Sequence, residues 1–384
     1  MGRRVHLTGS ASPQCDPGLL RWTHRALRAF LRAHLRGGGS LIAQLGGEPY
    51  HPAADDLPRT FDWLAVEVAL EALRAGEVGP SAEDPLVLLR GSRRGFEQIP
   101  AHRRPLYDEL VSREAIELQL LPDTWRSGAL IRQAQARLGD VLVIASGGAG
   151  VEHLADMYTA HGRAVVPWDV DLGSSGDDGA LGGVGLARKA LVDASSFFRL
   201  AVGGGAEARL LQLKVDPANV GDPEPAGLQL ASLVGDLELP PAFCVRLLNP
   251  AVPLYTEVEE HFRTVVDPVL EGLGYRVVDL GRERQEAAWM NDEIFRQLDR
   301  APLAFCDLTG QRSNCFTELG YALGNRQRVI LSAHDAERLP FDTDKLPCRF
   351  WNQSEPVEVR RESLLGHIDQ FGTLPPIVQA ASLL

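Results

Sequence analysis

LAFCDLTGQRSNCFTELGYALGNRQRVILS, residues 303–332, decides the fold of the C-terminal half. Leu303 to Asp307 is a short apolar run closed by an acid, which reads as a buried strand. Asn314 to about Leu323 reads as a helix. Arg328 to Ser332 is a second strand. Strand, helix and strand within 30 residues form a βαβ unit, and such units imply a parallel sheet.

The same alternation extends in both directions. Upstream, Phe243 to Leu248 reads as a strand, Glu257 to Leu273 as a helix stopped by Gly274, Arg276 to Asp279 as a strand and Asn291 to Arg300 as helix. Downstream, Arg349 to Trp351 reads as a short strand and Arg361 to Phe371 as a final helix. The first half has strands at Arg4 to Leu7, Ser40 to Gln44, Pro85 to Arg90, Val141 to Ala145 and Ala164 to Pro167. Its clearest helix runs from Leu19 to Arg36. Leu20, Leu27, Phe30, Leu31 and Leu35 share one face; Arg21, Arg25, Arg28, Arg32 and Arg36 share the other, which reads as a solvated stripe. Between the halves, Gly203-Gly204-Gly205, Asp222-Pro223-Glu224-Pro225 and Pro240-Pro241 mark an ordered connector. The expected organisation is an α/β chain of two Rossmann-like parallel-sheet domains, the second flavodoxin-like. Residues 1–200 form one domain, 201–241 the connector and 242–384 the other.

Composition limits the function. The 384 residues carry a formal net charge of -12, which disfavours direct binding of duplex nucleic acid. No apolar run approaches the roughly 18 residues of a membrane span, and Met1-Gly2-Arg3-Arg4 leads directly into a strand rather than a signal segment. Five scattered cysteines, none in a C-x-x-C pair, argue against a zinc site or disulfide framework. A cytoplasmic protein without a metal or cofactor is expected.

In parallel sheets, ligands bind beyond the carboxyl ends of the strands. In the C-terminal half these ends bring forward Asn249 and Pro250, Asp279, Asp307, and then Asn314, Glu318 and Tyr321. The stretch from Asp307 to Leu331 resembles nucleoside 2-deoxyribosyltransferases and the TIR-like domains related to them. There an acid ends one strand and N-x-x-x-E-L-G-Y-A opens the next helix. Pro340-Phe341-Asp342 after the fourth strand adds to the pattern. The resemblance implies cleavage of an N-glycosidic bond with Glu318 as catalytic carboxylate. Asp307 would hold ribose hydroxyls or orient Glu318, although a strand-end Asp also reads as a turn cap. Asn249, Pro250, Asp279, Asn314 and Tyr321 would contact substrate. The transferases carry an aromatic residue in the first strand-end loop; here Tyr255 lies further along, which leaves hydrolysis open. Cys306 and Cys315 read as small buried hydrophobes.

In the N-terminal half, Gly9 and Ser10, Gly47, Arg90 and Gly91, and Gly147, Gly148 and Gly150 follow successive strands, where backbone amides can meet phosphate. These positions resemble the SLOG superfamily, which includes cytokinin-activating phosphoribohydrolases and DprA-like proteins. Its enzymes carry P-G-G-x-G-T-x-x-E. Here the run is Ser146-Gly147-Gly148-Ala149-Gly150-Val151-Glu152-His153-Leu154, with Leu154 in the place of the catalytic Glu. Glu152 is displaced by two positions, about 200° around a helix. The domain is therefore expected to bind a nucleotide signal, with Glu152 among its contacts, and not to hydrolyse it. Arg132 lies near the position of an arginine in those enzymes, offset by one; it reads as a solvated helix residue, with a phosphate contact as the alternative.

The fusion resembles bacterial antiphage effectors. It implies a signal-gated glycohydrolase acting on NAD or another nucleotide, with a cyclic or ADP-ribose-type nucleotide as signal and a homo-oligomer as the working form. NAD would be a substrate, not a cofactor. The alternatives are a metabolic nucleoside hydrolase or 2-deoxyribosyltransferase, and a nucleotide-binding scaffold without catalysis.

Overall fold

The computed structural model describes residues 3–79, 85–160, 162–173, 182–201, 205–279, 290–325, 327–335, 337–340 and 346–371. Gly203, Gly204, Phe341 and Asp342 lie outside them. The chain divides into two compact units, Met1–Glu238 and Leu239–Leu384.

The strands of the first unit are β1 (Arg4–Thr8), β2 (Ser40–Gln44), β3 (Tyr50–His51), β4 (Ala54–Pro58), β5 (Val87–Ser92), β6 (Ile116–Leu121), β7 (Val141–Ala145) and β8 (Ala164–Trp168). Six of them form a parallel sheet in the order β6-β5-β2-β1-β7-β8. β3 and β4 pair antiparallel as a separate hairpin. The central strands are buried on both faces, as the unbroken run Val-Leu-Val-Ile-Ala of β7 requires.

Helix Pro17–Arg36 begins where Asp16 caps it, Oδ1 accepting from the Leu19 amide at 2.7 Å, with Pro17 in the first turn. It buries Leu20, Leu27, Phe30 and Leu31 completely. Much of its arginine stripe is engaged with carboxylates: Arg28 bonds to Glu67 and Glu71, and Arg32 and Arg36 both grip Glu77. Helix Pro223–Gly235, within the stretch read as connector, packs on this helix. A Cβ at Gly227 would stand 2.1 Å from the Ala26 carbonyl oxygen, so only glycine permits the approach.

The second unit contains β9 (Pro241–Val245), β10 (Arg276–Val278), β11 (Leu303–Asp307), β12 (Arg328–His334) and β13 (Cys348–Trp351). They form a parallel sheet in the order β10-β9-β11-β12-β13. Both units are therefore Rossmann-like parallel-sheet folds, the second with flavodoxin-like order. β9 stops earlier than its apolar run. Val245 makes the last pairing with β11, opposite Cys306, and Arg246 onwards forms a loop. Alternate residues of β11 serve two core layers. Leu303 and Phe305 pack with Phe262, Val266 and Leu364, while Ala304 and Cys306 pack with Cys315 and Leu319. Among the described residues no helix is long and apolar enough to cross a membrane.

Candidate functional site

β1 is the switch point of the first sheet, since β2, β5 and β6 extend to one side of it and β7 and β8 to the other. A cleft of about 420 Å³ opens there, at the carboxyl ends of β1, β2 and β5 and the start of helix Ala149–Ala160. Two glycines make it possible. Gly9 has φ +144°, and a Cβ on it would lie 1.9 Å from the Ala145 carbonyl oxygen. Gly147 has φ +100°, and its Cβ would meet Val151 Cγ2 at 2.4 Å and Gly9 Cα at 3.4 Å. Ser146 precedes it in the left-handed region (φ +61°) and is fully buried, its Oγ accepting from the Leu172 amide at 3.3 Å. These residues turn the chain so that Gly148 and Gly150, at the amino end of the helix, face the cleft.

Of the positions singled out from the sequence, Gly9, Ser10, Gly47, Gly148 and Gly150 line the cleft. The remaining residues singled out in this half have other surroundings. Arg90 is buried beneath the sheet end, where Nη2 bonds to Glu117 and Nη1 donates to the Leu89 carbonyl at 3.0 Å. Gly91 admits Leu45, whose Cβ would be 2.8 Å from a Cβ there. Glu152 accepts the Gly182 amide at 2.7 Å and secures the start of helix Gly182–Val192. Leu154 lines the cleft.

Four further side chains set the chemistry of the cleft. Arg132, read as solvated, projects from helix Ser127–Leu138 into the cleft, with a guanidinium nitrogen 3.9 Å from a Cβ built on Gly150. Its Nε is buried without a hydrogen-bond partner. Arg94 also lines the cleft, and among the described residues neither arginine pairs with a carboxylate. Asp62, at the start of helix Asp62–Arg74, accepts the Gln44 amide at 2.7 Å; burial pushes its carboxyl up to about 6. His6 forms part of the floor. Burial pulls it down to about 3, so it is neutral, with Nδ1 3.2 Å from the Tyr158 hydroxyl. At neutral pH the charged lining is two guanidiniums and one carboxylate, which suits an anion.

A larger depression of about 710 Å³ lies between helix Pro17–Arg36 and the β3–β4 hairpin. Its Arg21, Arg28 and Arg103 are each already paired, with Asp56, with Glu67 and Glu71, and with Glu48 and Glu67. Arg25 also lines it, and no ion pair engages Arg25 among the described residues.

In the second unit the sheet order reverses between β9 and β11. Gly310 (φ +75°) brings the loops after these strands together, with Leu247 and Val252 in van der Waals range of its position. Glu337 holds the Gly310 amide at 2.8 Å and the Gln311 side chain at 2.7 Å. Asp279 is in a buried ion pair with Arg246 (Nε to Oδ2, 2.6 Å), and Arg246 also bonds to Glu259. Asn249 accepts the Ala251 amide at 3.0 Å and shapes the turn that exposes Pro250.

Asp307 is completely buried. Its Oδ2 accepts from Ser332 Oγ at 2.6 Å and Trp351 Nε1 at 2.8 Å, and its Oδ1 from the Thr309 amide at 3.1 Å. Strand alternation directs it to the layer of Phe305 and Trp351, whereas Glu318 rises from helix Ser313–Gly324 beside Cys306 and Cys315 in the other layer. The two carboxylates thus face opposite sides of the sheet. Asn314 is exposed in the first helical turn. The Tyr321 hydroxyl donates to Asp299 at 2.9 Å, and its ring rests against Phe295.

Glu318 is half-buried and, among the described residues, has no hydrogen-bond or ion-pair partner. Burial pushes its carboxyl up to about 7. Burial, with Glu318 adding to it, raises the Cys306 thiol well above its ordinary range and Cys315 to about 12, so neither is a ready nucleophile. Among the described residues no cluster of three or more His, Cys, Asp or Glu side chains could hold a metal ion.

Comparison with known proteins bears on the first unit. A family model described as the N-terminal domain of ATP nucleosidase Cap17-like proteins matches residues 1–218. Two curated relatives, both described as ATP nucleosidase Cap17, come from Escherichia coli strain KTE188 and from Escherichia coli. Each is 26% identical over 194 residues, 50% of this chain and 37% of the relative. The chain thus spans little more than a third of the length of these relatives. Since the model covers over half of the residues, the chain belongs to the Cap17-like N-terminal family.

Proposed function

We propose that this chain is a signal-gated nucleotide N-glycosidase of antiphage defence. A nucleotide held in the N-terminal cleft is the signal, and Glu318 is the carboxylate that meets the sugar. The SLOG-like reading of the first unit and the TIR-like or deoxyribosyltransferase-like reading of the second both belong to this proposal. The description of the relatives as ATP nucleosidases directs attention to nucleoside triphosphates as substrate, with NAD the alternative.

Glu318 is the observation that carries the proposal. A carboxyl sheltered enough to sit near 7, yet held by no partner among the described residues, costs stability and returns none of it through a structural bond. Chemistry gives it a use. When the bond from ribose C1 to the base nitrogen breaks, the electron pair leaves with the base, which takes up a proton. The sugar becomes oxocarbenium-like, and water supplies hydroxide to C1. A carboxylate beside C1 stabilises that cation, or adds to it before water does.

Gating requires that the signal bind two states of the protein with different affinity. Exchange between assemblies of a homo-oligomer is the device we favour. The experiment is chromatography of base release from ATP, NAD and a panel of nucleosides, with and without cyclic and ADP-ribose-type nucleotides. Release that depends on an added nucleotide and disappears in Glu318→Gln supports the proposal. Constitutive release from nucleosides supports metabolic hydrolysis or transfer. Binding without release leaves a scaffold.

A further inference from the structure

We infer that Asp62 is the sugar-reading residue of the N-terminal cleft: it accepts hydrogen bonds from the vicinal hydroxyls of a ribonucleotide whose phosphates lie at Arg132 and the start of helix Ala149–Ala160. The inference rests on the nucleotide-binding reading of this cleft and adds a selectivity for ribose over its deoxygenated forms.

Position is the first ground. Asp62 stands at the end of β2, the immediate neighbour of β1 at the switch point, anchored there by the Gln44 amide at 2.7 Å. An acid at that end of a doubly wound sheet faces the ribose of a nucleotide whose phosphates meet the adjacent helix start. Here the acid belongs to a helix that follows the β3–β4 hairpin, so it is far from β2 in sequence and beside it in space.

Charge is the second. Asp62 is the one carboxylate lining the cleft among the described residues, and it lines a cleft whose other charges are guanidiniums. A carboxylate weakens the attraction of such a cleft for phosphate. Arg94 and Arg132 are not consumed in pairing with it, nor is it paired with any other cation. Its known hydrogen bonds come from two backbone amides, those of Gln44 and of Asp62 itself. An ionised carboxylate has about four acceptor positions, so capacity remains for two hydroxyl donors.

Rigidity is the third. Phe61 and Trp63, on either side, are buried, and Trp63 Nε1 donates to the Gly46 carbonyl at 3.0 Å. The loop after β2 and the helix start that bears Asp62 are therefore fixed to each other, and the carboxylate is positioned before a ligand arrives.

The test is calorimetric titration of the full chain with ATP, 2′-deoxy-ATP and 2′,3′-dideoxy-ATP, in wild type, Asp62→Asn and Arg132→Ala, each carrying Glu318→Gln so that base release does not obscure binding. The dideoxy compound is expected to bind wild type about tenfold or more weakly than ATP, as for the loss of hydrogen bonds to a charged acceptor. Asp62→Asn should bring ATP down to the dideoxy level and erase the discrimination, while Arg132→Ala weakens all three alike. If wild type takes all three equally and Arg132→Ala still weakens them, the role of Asp62 falls and the nucleotide cleft stands. If Asp62→Asn weakens all three equally, the carboxylate reads the base, and the inference is overturned. If no compound binds, or Arg132→Ala has no effect, the cleft is not the nucleotide site and the inference falls with it. The analogue series on wild type decides the question even if a variant folds poorly.

Discussion

Replacing Glu318 by Gln should remove base release and at the same time stabilise the protein, in a pH-dependent way. In the folded chain the carboxyl sits near 7; its ordinary value is 4.5. Below about pH 4.5 it is protonated whether the chain is folded or not, and the substitution changes little. As pH rises through that value the unfolded chain ionises first, and folding increasingly carries the cost of keeping the group protonated or of ionising it in a sheltered place. Above about pH 7 that cost is complete. The full displacement corresponds to about 3 kcal/mol. Solvent reaches part of this side chain, and screening reduces the figure to about 1–2 kcal/mol. Gln has nearly the same shape and never ionises. At about pH 8 the transition of the C-terminal unit should therefore rise by roughly 2–8 °C in differential scanning calorimetry. Near pH 4.5 the two proteins should unfold together. A Gln variant less stable than wild type at about pH 8 would mean that the carboxylate has a structural partner, and the catalytic argument would lose its premise.

Asp307 should behave in the opposite way. Asp307→Asn puts an amide donor among the donors from Ser332, Trp351 and Thr309, and should cost about 2–4 kcal/mol in urea unfolding; an unchanged midpoint would show that these bonds carry no stability. Gly9→Ala should abolish the cleft or the fold of the first unit, because its Cβ would lie 1.9 Å from a carbonyl oxygen; circular dichroism and nucleotide titration indistinguishable from wild type would contradict the geometry. Base release should fall about tenfold for each pH unit below about 7, because the carboxylate must be ionised to meet the sugar cation. A rate that is flat or rises on acidification would assign Glu318 a different role.

Much of the architecture was legible because a parallel sheet is buried on both faces and writes its strands as unbroken apolar runs. Val141 to Ala145 and Leu303 to Asp307 are such runs, and the structure has strands over the same residues. β6 was missed for the converse reason. At the sheet edge it alternates half-buried Ile116 and Leu118 with exposed Glu117 and Gln119, a pattern that reads equally as loop or helix flank. The Pro- and Gly-rich stretch before Pro241 shows a different ambiguity. Asp222 caps helix Pro223–Gly235 and Pro223 opens it, so residues that punctuate a linker here start a helix.

The sites divide along the same line. Residues adjacent to strand ends in sequence, such as Gly9, Gly47 and Gly148, were legible because topology alone brings them to the cleft. Asp62 reaches it from a helix that follows a hairpin, so only the packed chain reveals it; Arg132, whose helix follows an edge strand, was set beside a SLOG arginine by sequence but read as solvated. In the second unit, strand parity was available from the start. Phe305 and Asp307 must share a face, and Cys306 must take the other. A helix that buries Cys315 and Leu319 against Cys306 sets Glu318 on the Cys306 side, away from Asp307. Two carboxylates eleven residues apart therefore do separate work. One ties the carboxyl ends of β11, β12 and β13 together; the other, on the far side of the sheet, is left without a partner among the described residues. The pattern of pairing distinguishes the first unit's cleft in the same way. In a chain of net charge -12, Arg28, Arg32, Arg36, Arg74 and Arg103 are bound to glutamates, whereas the two arginines of the cleft pair with no carboxylate among the described residues. A net charge of -12 disfavours an extended polyanion, while a local pair of unpaired guanidiniums still favours a small anion.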